Sequence, residues 1–123
     1  ISGLKMAKKI LIIDDDMEDL DTMKDVLEKG GYSVVTANNG ADGLDKVKDG
    51  FDLIIIDIQM PTLSGYDLLR LLRERINHDA KMIYATIIPK ADVRMEDIDG
   101  FIQKPFRIIK LSHEIRKILD NNA

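Results

Sequence analysis

Four consecutive apolar residues, Leu53–Ile56, run directly into Asp57, and this stretch constrains the fold more than any other. A short, isoleucine-rich run bounded by turn residues is typical of a strand buried on both faces, as in a parallel sheet. Pro61 and Gly65 follow, so we predict a turn before the next helix. Asp57 is therefore predicted to lie at the carboxyl end of a buried strand, where open α/β sheets bind their ligands.

Short apolar runs alternate with helical periodicity along the whole chain. The runs predict strands at residues 8–13, 32–37, 52–57, 81–86 and 100–103, and the periodic segments predict helices starting near Met17, Ala41, Gly65 and Ile108. This alternation favours an α/β fold of the (βα)5 type, a doubly wound five-stranded parallel sheet. The last helix is predicted to run to Asp120, with an apolar stripe of Ile108, Leu111, Ile115 and Ile118. The segment 89–99 is polar and poorly periodic, so the fourth helix is predicted to be short or irregular.

Composition narrows the range of functions. The 123 residues suffice for one domain, which we expect at residues 8–121, and we expect residues 1–7 to be a cloning remnant or a disordered N-terminus. A net charge of −4 without a basic stripe is unfavourable for direct nucleic-acid binding. The chain has no cysteine, which excludes disulfides and thiolate chemistry. With no apolar run approaching the ~18 residues of a membrane span and no signal peptide, we expect a cytoplasmic protein that does not contact membranes.

Five chemically capable side chains stand at the ends of predicted strands: Asp14, Asp15, Asp57, Thr86 and Lys104. Right-handed crossovers bring the carboxyl ends of parallel strands to one edge of the sheet, so we expect these residues to converge. Two carboxylates ~4 Å apart repel by about 4 kcal/mol at an effective dielectric constant of ~20, so either a pKa rises or a cation binds. Oxygen ligands in a chain without cysteine favour Mg²⁺.

This set of side chains favours phosphoryl transfer. Mg²⁺ is usually held by one or two protein carboxylates together with water and phosphate oxygens, which leaves Asp57 as the attacking group. Carboxylates do form covalent aspartyl phosphates. Lys104 and the metal would neutralise the phosphoryl oxygens, and the Thr86 hydroxyl could donate a hydrogen bond to one of them.

In these residues the sequence resembles the receiver domain of two-component response regulators. The matching segments are ILIIDDD (10–16), LIIIDIQMPTLSG (53–65), the strand that ends at Thr86, and FIQKPF (101–106), and the resemblance extends from Lys8 to Leu119. It implies a flavodoxin-like receiver fold and a phosphorylation-dependent signalling switch. Such a phosphoprotein catalyses only its own phosphorylation and dephosphorylation and is not an enzyme for an external substrate.

The resemblance also implies how the site is divided among its residues. Asp57 would accept the phosphoryl group from a phosphohistidine of a sensor histidine kinase or of a histidine phosphotransfer protein. Mg²⁺, or Mn²⁺ in its place, would be bound directly by Asp15 and Asp57, through water by Asp14, and by the main-chain carbonyl of Gln59. Lys104 would pair with Asp57 and then with the phosphoryl group.

Two further features follow from the same resemblance. Thr86 and Phe101 would form a switch pair, the hydroxyl moving toward the phosphate and the ring moving inward, although Phe101 also fits an ordinary core position. The Lys104–Pro105 peptide bond would be cis. The output would pass to a downstream protein target or effector domain, or through a phosphorylation-dependent homodimer.

The sequence departs from the family pattern in two places. A small residue usually follows the switch threonine, whereas this chain has Ile87, which could hinder water or a phosphatase from reaching Asp57 and so prolong the phosphorylated state. The segment from Thr86 to Lys104 is also about one helical turn (about 3.6 residues) shorter than the family leads us to expect. The fourth helix is therefore expected to be short, shifted or absent, and the partner binding or dimerisation that relatives place on that face does not carry over.

Other functions stay open on the sequence alone. Ile87 and the short fourth-helix segment would suit a receiver-fold module that binds proteins without phosphorylation, although the acids and Lys104 argue against it. A phosphatase of the haloacid dehalogenase type also uses an aspartate after a buried strand, but it needs a second acid where this chain has Gln59. An FMN-binding flavodoxin-like protein would need a phosphate-cradling loop where Asp14–Asp16 would repel phosphate.

Overall fold

The computed structural model describes residues 6–76 and 79–120, and it contains the predicted alternation of strands and helices. The strands are β1 (Lys9–Ile13), β2 (Ser33–Ala37), β3 (Leu53–Ile56), β4 (Lys81–Thr86) and β5 (Gly100–Gln103). The helices are α1 (Met17–Lys29), α2 (Gly40–Lys46), α3 (Gly65–Arg75) and α4 (Ile108–Asp120). Residues 1–5 and residue 121, which belong to the predicted N-terminal segment and domain end, lie outside the described residues.

All five strands are parallel and lie in the order β2-β1-β3-β4-β5. Helices α1 and α4 pack against one face of the sheet, and α2 and α3 pack against the other. Each residue of β3 is buried, as expected for a central strand covered on both faces. The prediction of a doubly wound five-stranded parallel sheet is therefore confirmed. Within the described residues, no helix has both the length and the apolarity that a bilayer span requires.

The ends of α1 follow from its sequence. The Asp16 carboxylate accepts hydrogen bonds from the main-chain N–H groups of Glu18 and Asp19, which satisfies donors of the first turn. Beyond Lys29 the chain leaves the helix at Gly30 and continues through Gly31, whose φ of 97° is costly for residues with a side chain. The three acids Asp14–Asp16 therefore form the whole connection between β1 and α1.

Helix α4 buries Leu111, Ile115 and Leu119, with Ile118 half-buried beside them. The prediction that Ile108 belongs to this stripe was wrong, since Ile108 is exposed. Ile108 lies in the first turn of α4, at the edge of the sheet where the helix enters, and Leu111 is the first α4 residue that reaches the core.

The segment between β4 and β5 contains one 3-10 turn, Lys90–Asp92, in place of an α-helix. This confirms the prediction of a short or irregular fourth helix. Val93 is buried against the same core as α3, while Ile88 and Ile98 are half-buried there. The segment is also tied to α3 because the Arg73 guanidinium donates to the Asp97 carbonyl at 2.6 Å.

The Gln103 side chain supplies hydrogen bonds to this irregular segment. Its amide nitrogen donates to the carbonyl oxygens of Thr86 at 3.0 Å and Ile88 at 2.9 Å, and its amide oxygen accepts from the Lys90 N–H at 3.1 Å. A segment without helical bonds needs other partners for its main-chain groups. Gln103 therefore fixes the start of the segment to the end of β5.

We expect Gln103→Glu to be less stable than the wild type by about 1–2 kcal/mol, because a carboxylate cannot donate to the two carbonyls and lies against them. It still accepts from the Lys90 N–H, whereas Gln103→Ala loses all three bonds. Hydrogen exchange at the Lys90 amide should therefore be faster in the Ala variant than in the Glu variant. Urea unfolding measures the stability, and a Glu variant as stable as the wild type would contradict this role.

Candidate functional site

Backbone hydrogen bonds align the residues that follow the strands. The N–H of Asp14 donates to the last residue of β2 (3.1 Å), that of Asp57 to the last residue of β1 (3.0 Å), and that of Lys104 to Thr86 (2.9 Å). The sheet ladder therefore extends one residue beyond the strands, and it places these side chains at one edge, as predicted from the topology.

Four polar or charged residues are buried in the described chain, and all four belong to this edge. The exposed fractions are 1% for Asp14, 7% for Asp57, 0% for Thr86 and 6% for Lys104. Buried charges are costly unless they are paired. Their concentration at one place therefore makes this edge of the sheet the candidate functional site.

Gly65 lets α3 begin beside the backbone that carries Asp57. Its N–H donates to the Ile58 carbonyl at 2.9 Å. A Cβ atom at this position would lie 2.5 Å from the Asp57 carbonyl oxygen and 2.6 Å from the Ile58 Cα. Any larger residue would therefore displace the backbone of the site.

The Lys104 ammonium lies among three carboxylates. Its Nζ donates to Asp14 Oδ2 and, at 2.7 Å, to Asp19 Oδ2, and it lies 3.7 Å from Asp57 Oδ2. Asp19 is a residue of this site that was not predicted from the sequence. The available signal was its position, one helical turn after the strand-end acids, which turns its side chain toward the same edge.

The environment changes the pKa values of the central pair. Burial raises the pKa of the Asp14 carboxyl to about 6, although the hydrogen bond from Lys104 acts in the opposite direction. Burial by itself would lower the pKa of Lys104, but the hydrogen bonds to Asp14 and Asp19 and the negative charges of Asp14 and Asp57 together raise this pKa above the usual lysine value. The ammonium is therefore charged at neutral pH and holds the acids together.

The remaining negative charge fits a divalent cation. One oxygen each from Asp14, Asp15 and Asp57 lies within 4.8 Å of the others. Lys104 supplies one positive charge against these acids and Asp19, so negative charge remains in excess. Carboxylate oxygens are hard ligands suited to Mg²⁺. The Gln59 N–H donates to Asp57 Oδ1 at 3.3 Å, which places the Gln59 backbone beside the same group.

An open cavity of about 370 Å³ gives access to the site. It is lined by Asp15, Asp16, Asp19, Asp57, Gln59, Ile87 and Lys104. The Ile87 side chain lies at this cavity and is 62% exposed. Ile87 and Asp57 therefore line the same open cavity.

The predicted switch residues are not part of the cavity lining. Thr86 does not line it, and the Thr86 hydroxyl accepts a hydrogen bond from the Ile88 N–H at 3.3 Å. Phe101 is half-buried and pairs across the ladder with Tyr84, which precedes Thr86 by two residues and shares its face of the sheet. The Lys104–Pro105 bond is cis. The switching role of Thr86 and Phe101 stays a prediction.

Comparison with known proteins identifies the family. A sequence model of the response regulator receiver domain matches residues 10–116. The transcriptional regulatory protein CpxR of Escherichia coli is 35% identical over 115 residues, covering 90% of this chain and 49% of CpxR. The hybrid signal transduction histidine kinase L of Dictyostelium discoideum is 31% identical, covering 92% of this chain and 7% of the kinase. The chain thus spans about half of CpxR and a small part of the kinase.

Solved structures show the same fold. The chemotaxis protein CheY4 of Vibrio cholerae superposes with a TM-score of 0.87 at 25% identity, covering 93% of this chain and 100% of that protein. The response regulator TrrA of Thermotoga maritima, solved in complex with Mg²⁺-BeF, has a TM-score of 0.81 at 33% identity, covering 91% of this chain and 99% of TrrA.

We expect Asp14→Asn to stabilise the metal-free protein at pH 7.5 by about 1–3 kcal/mol. The pKa of Asp14 is raised in the folded state, so the unfolded chain releases this proton first as the pH rises. Wild-type stability should accordingly fall between pH 4 and about 6, and this fall should be smaller in the variant.

Chemical denaturation in EDTA across this pH range measures the effect. Asp15→Asn is the matched control, because it removes the same charge from an exposed neighbour. A variant at Asp14 that is no more stable than the wild type at pH 7.5 would contradict the burial argument.

Proposed function

Because the chain belongs to the receiver domain family of two-component response regulators, we propose that it is a phosphorylation-dependent signalling switch whose phosphoacceptor is Asp57. The observation that carries the proposal is the buried Asp57 carboxylate beside the Lys104 ammonium, at the end of a central strand and open to an acidic cavity. The chain spans only about half of the length of CpxR. What a whole protein with this domain would do downstream is therefore also a proposal.

In the proposed reaction a carboxylate oxygen of Asp57 attacks the phosphorus of a phosphohistidine on a sensor histidine kinase or a histidine phosphotransfer protein. An O–P bond forms and the P–N bond breaks, and the imidazole leaves with the electron pair and takes a proton from solvent. The product is an aspartyl phosphate. The domain turns over no external substrate and catalyses only the gain and loss of its own phosphoryl group.

The charges around Asp57 support this step. Lys104 would pair with the phosphoryl oxygens as negative charge builds up beside Asp57. Mg²⁺ or Mn²⁺ would be bound directly by Asp15, Asp57 and the main-chain carbonyl of Gln59. Asp14 would bind it through a water molecule. When bound, this cation offsets the charge of the phosphoryl oxygens. TrrA, which is 33% identical to this chain, was solved in complex with Mg²⁺-BeF, and this supports a Mg²⁺ site here by analogy.

The proposed switch links the phosphoryl group on Asp57, which follows β3, to Phe101 in β5, on the other side of β4 within the sheet. Thr86 would exchange its bond with the Ile88 N–H for a bond to a phosphoryl oxygen, and Phe101 would move inward. The signal would then reach a downstream protein or effector domain, or a homodimer. We propose residues 8–121 as the receiver domain and the cytoplasm as its compartment.

A receiver-fold module that works without phosphorylation is the second candidate. One observation favours it, namely that Ile87 lies exposed at the cavity through which a phosphodonor would approach Asp57. The receiver family match makes the aspartate-nucleophile phosphatase less favourable than either.

Intact-mass measurement after incubation with acetyl phosphate and Mg²⁺ tests the first candidate. We expect one phosphoryl adduct on the wild type, formed as Asp57 attacks phosphorus and acetate leaves. Asp57→Asn should form no adduct, and EDTA should prevent it on the wild type. No adduct on the wild type would overturn the proposal in favour of the phosphorylation-independent module.

We expect Ile87→Ala to lose its phosphoryl group several-fold faster than the wild type, because truncation opens the path by which water reaches Asp57. Decay of the adduct after removal of the donor measures this rate. Ile88→Ala is the matched control, since it makes the same truncation at a half-buried residue packed against the core. Equal decay of wild type and Ile87→Ala would show that Ile87 does not shield the site.

A further inference from the structure

We propose that Asp19 is a positioning residue, which holds the Lys104 ammonium on the α1 side of the site and so restrains its approach to Asp57 and to a phosphoryl group there. The inference rests on the proposed function, and it assigns to α1 a part in setting the rate of the reaction.

The distances favour Asp19 over Asp57 as a partner of Lys104. The Nζ atom lies 2.7 Å from Asp19 Oδ2 and 3.7 Å from Asp57 Oδ2. The first distance is that of a charge-assisted hydrogen bond, and the second is too long for a hydrogen bond. In the resting arrangement the ammonium therefore directs its hydrogens to Asp14 and Asp19.

The start of α1 leaves the Asp19 carboxylate available for this contact. Asp19 stands three residues after the N-cap Asp16, the position from which a Glu or Gln commonly accepts a hydrogen bond from the N-cap N–H. Here the N–H of Asp16 donates to Asp14 Oδ1 at 2.9 Å instead. The Asp16 carboxylate in turn accepts from the Asp19 N–H at 3.1 Å, which fixes the backbone that carries Asp19. The strand-end acids thus aim Asp19 at Lys104.

Asp19 differs from Asp14 and Asp57, the other two acids near Lys104, because it lies outside the proposed cation site. Asp14 and Asp57 belong to the three-carboxylate group that fits a cation, and Asp19 does not. A cation on that group would draw Asp14 and Asp57 away from Lys104, whereas Asp19 would keep its contact. Lys104 stays protonated throughout, and no bond forms or breaks in it. Asp19 therefore competes with the phosphoryl oxygens for one ammonium.

The test compares the phosphorylation rates of Asp19→Asn and Asp16→Asn, with acetyl phosphate as donor and intact mass as readout. Both variants remove one negative charge from the same cavity, and asparagine caps a helix as well as aspartate. We expect Asp19→Asn to react about two- to fivefold faster than the wild type, as for loss of a partly exposed ion pair. The conservative Asp19→Glu, which can keep the contact, should remain near the wild-type rate. Equal acceleration in Asp16→Asn and Asp19→Asn would reduce the effect to net charge and overturn the proposal.

A second readout needs neither donor nor metal. The ¹⁵N resonance of Lys104 Nζ should shift in Asp19→Asn and stay near its wild-type position in Asp16→Asn. An unchanged Nζ resonance in Asp19→Asn would also overturn the positioning role. Absence of an adduct on the wild type would instead defeat the proposed function, and the Nζ resonance would still decide whether Asp19 holds Lys104.

Discussion

The site depends on one buried ammonium among acids. Burying a carboxylate such as Asp14 or Asp57 costs several kcal/mol unless a positive charge is near. Lys104 supplies that charge at the end of β5, and it hydrogen-bonds Asp14 and Asp19. It cannot neutralise all the acids at this edge, so the fold keeps a surplus of negative charge at an accessible place. That surplus fits the proposed cation, and in the proposed reaction the shared ammonium is the group that would move to a phosphoryl oxygen.

The same edge of the sheet also holds the residues of the proposed switch. Gly65 allows α3 to start against the backbone of Asp57, so the proposed phosphoacceptor sits on a fixed support. Thr86 ends β4 and begins the irregular segment that takes the place of a helix. Gln103 bonds to this segment directly before Lys104 in the chain. Gln103 and Lys104 are adjacent in the chain. A change in the hydrogen-bond partners of Lys104 would therefore act one residue away from the side chain that holds the Thr86 segment, which gives the proposed switch a short covalent path.

The sequence predicts the strand ends well because the end of an apolar run coincides there with the appearance of polar residues. Apolar runs define β4 and β5 and stop at polar residues, and the bounds of both strands and of α4 agree with the predictions. The side-chain partners could not be predicted in this way. Asp19 occupies a first-turn position from which a Glu or Gln would commonly accept from the N-cap N–H, whereas here the Asp16 N–H donates to Asp14 and the Asp19 carboxylate contacts Lys104. The exposure of Ile108 likewise depends on where α4 meets the sheet, which helical periodicity does not contain.

If the proposed function is right, Lys104 and a divalent cation neutralise the same carboxylates. Titration calorimetry of Mg²⁺ into the wild type and into Lys104→Met tests this directly. We expect one Mg²⁺ site in the wild type and several-fold tighter binding in the variant, because loss of the ammonium leaves Asp14 and Asp57 without their positive partner. Weaker or unchanged binding in Lys104→Met, or no binding to the wild type, would contradict it.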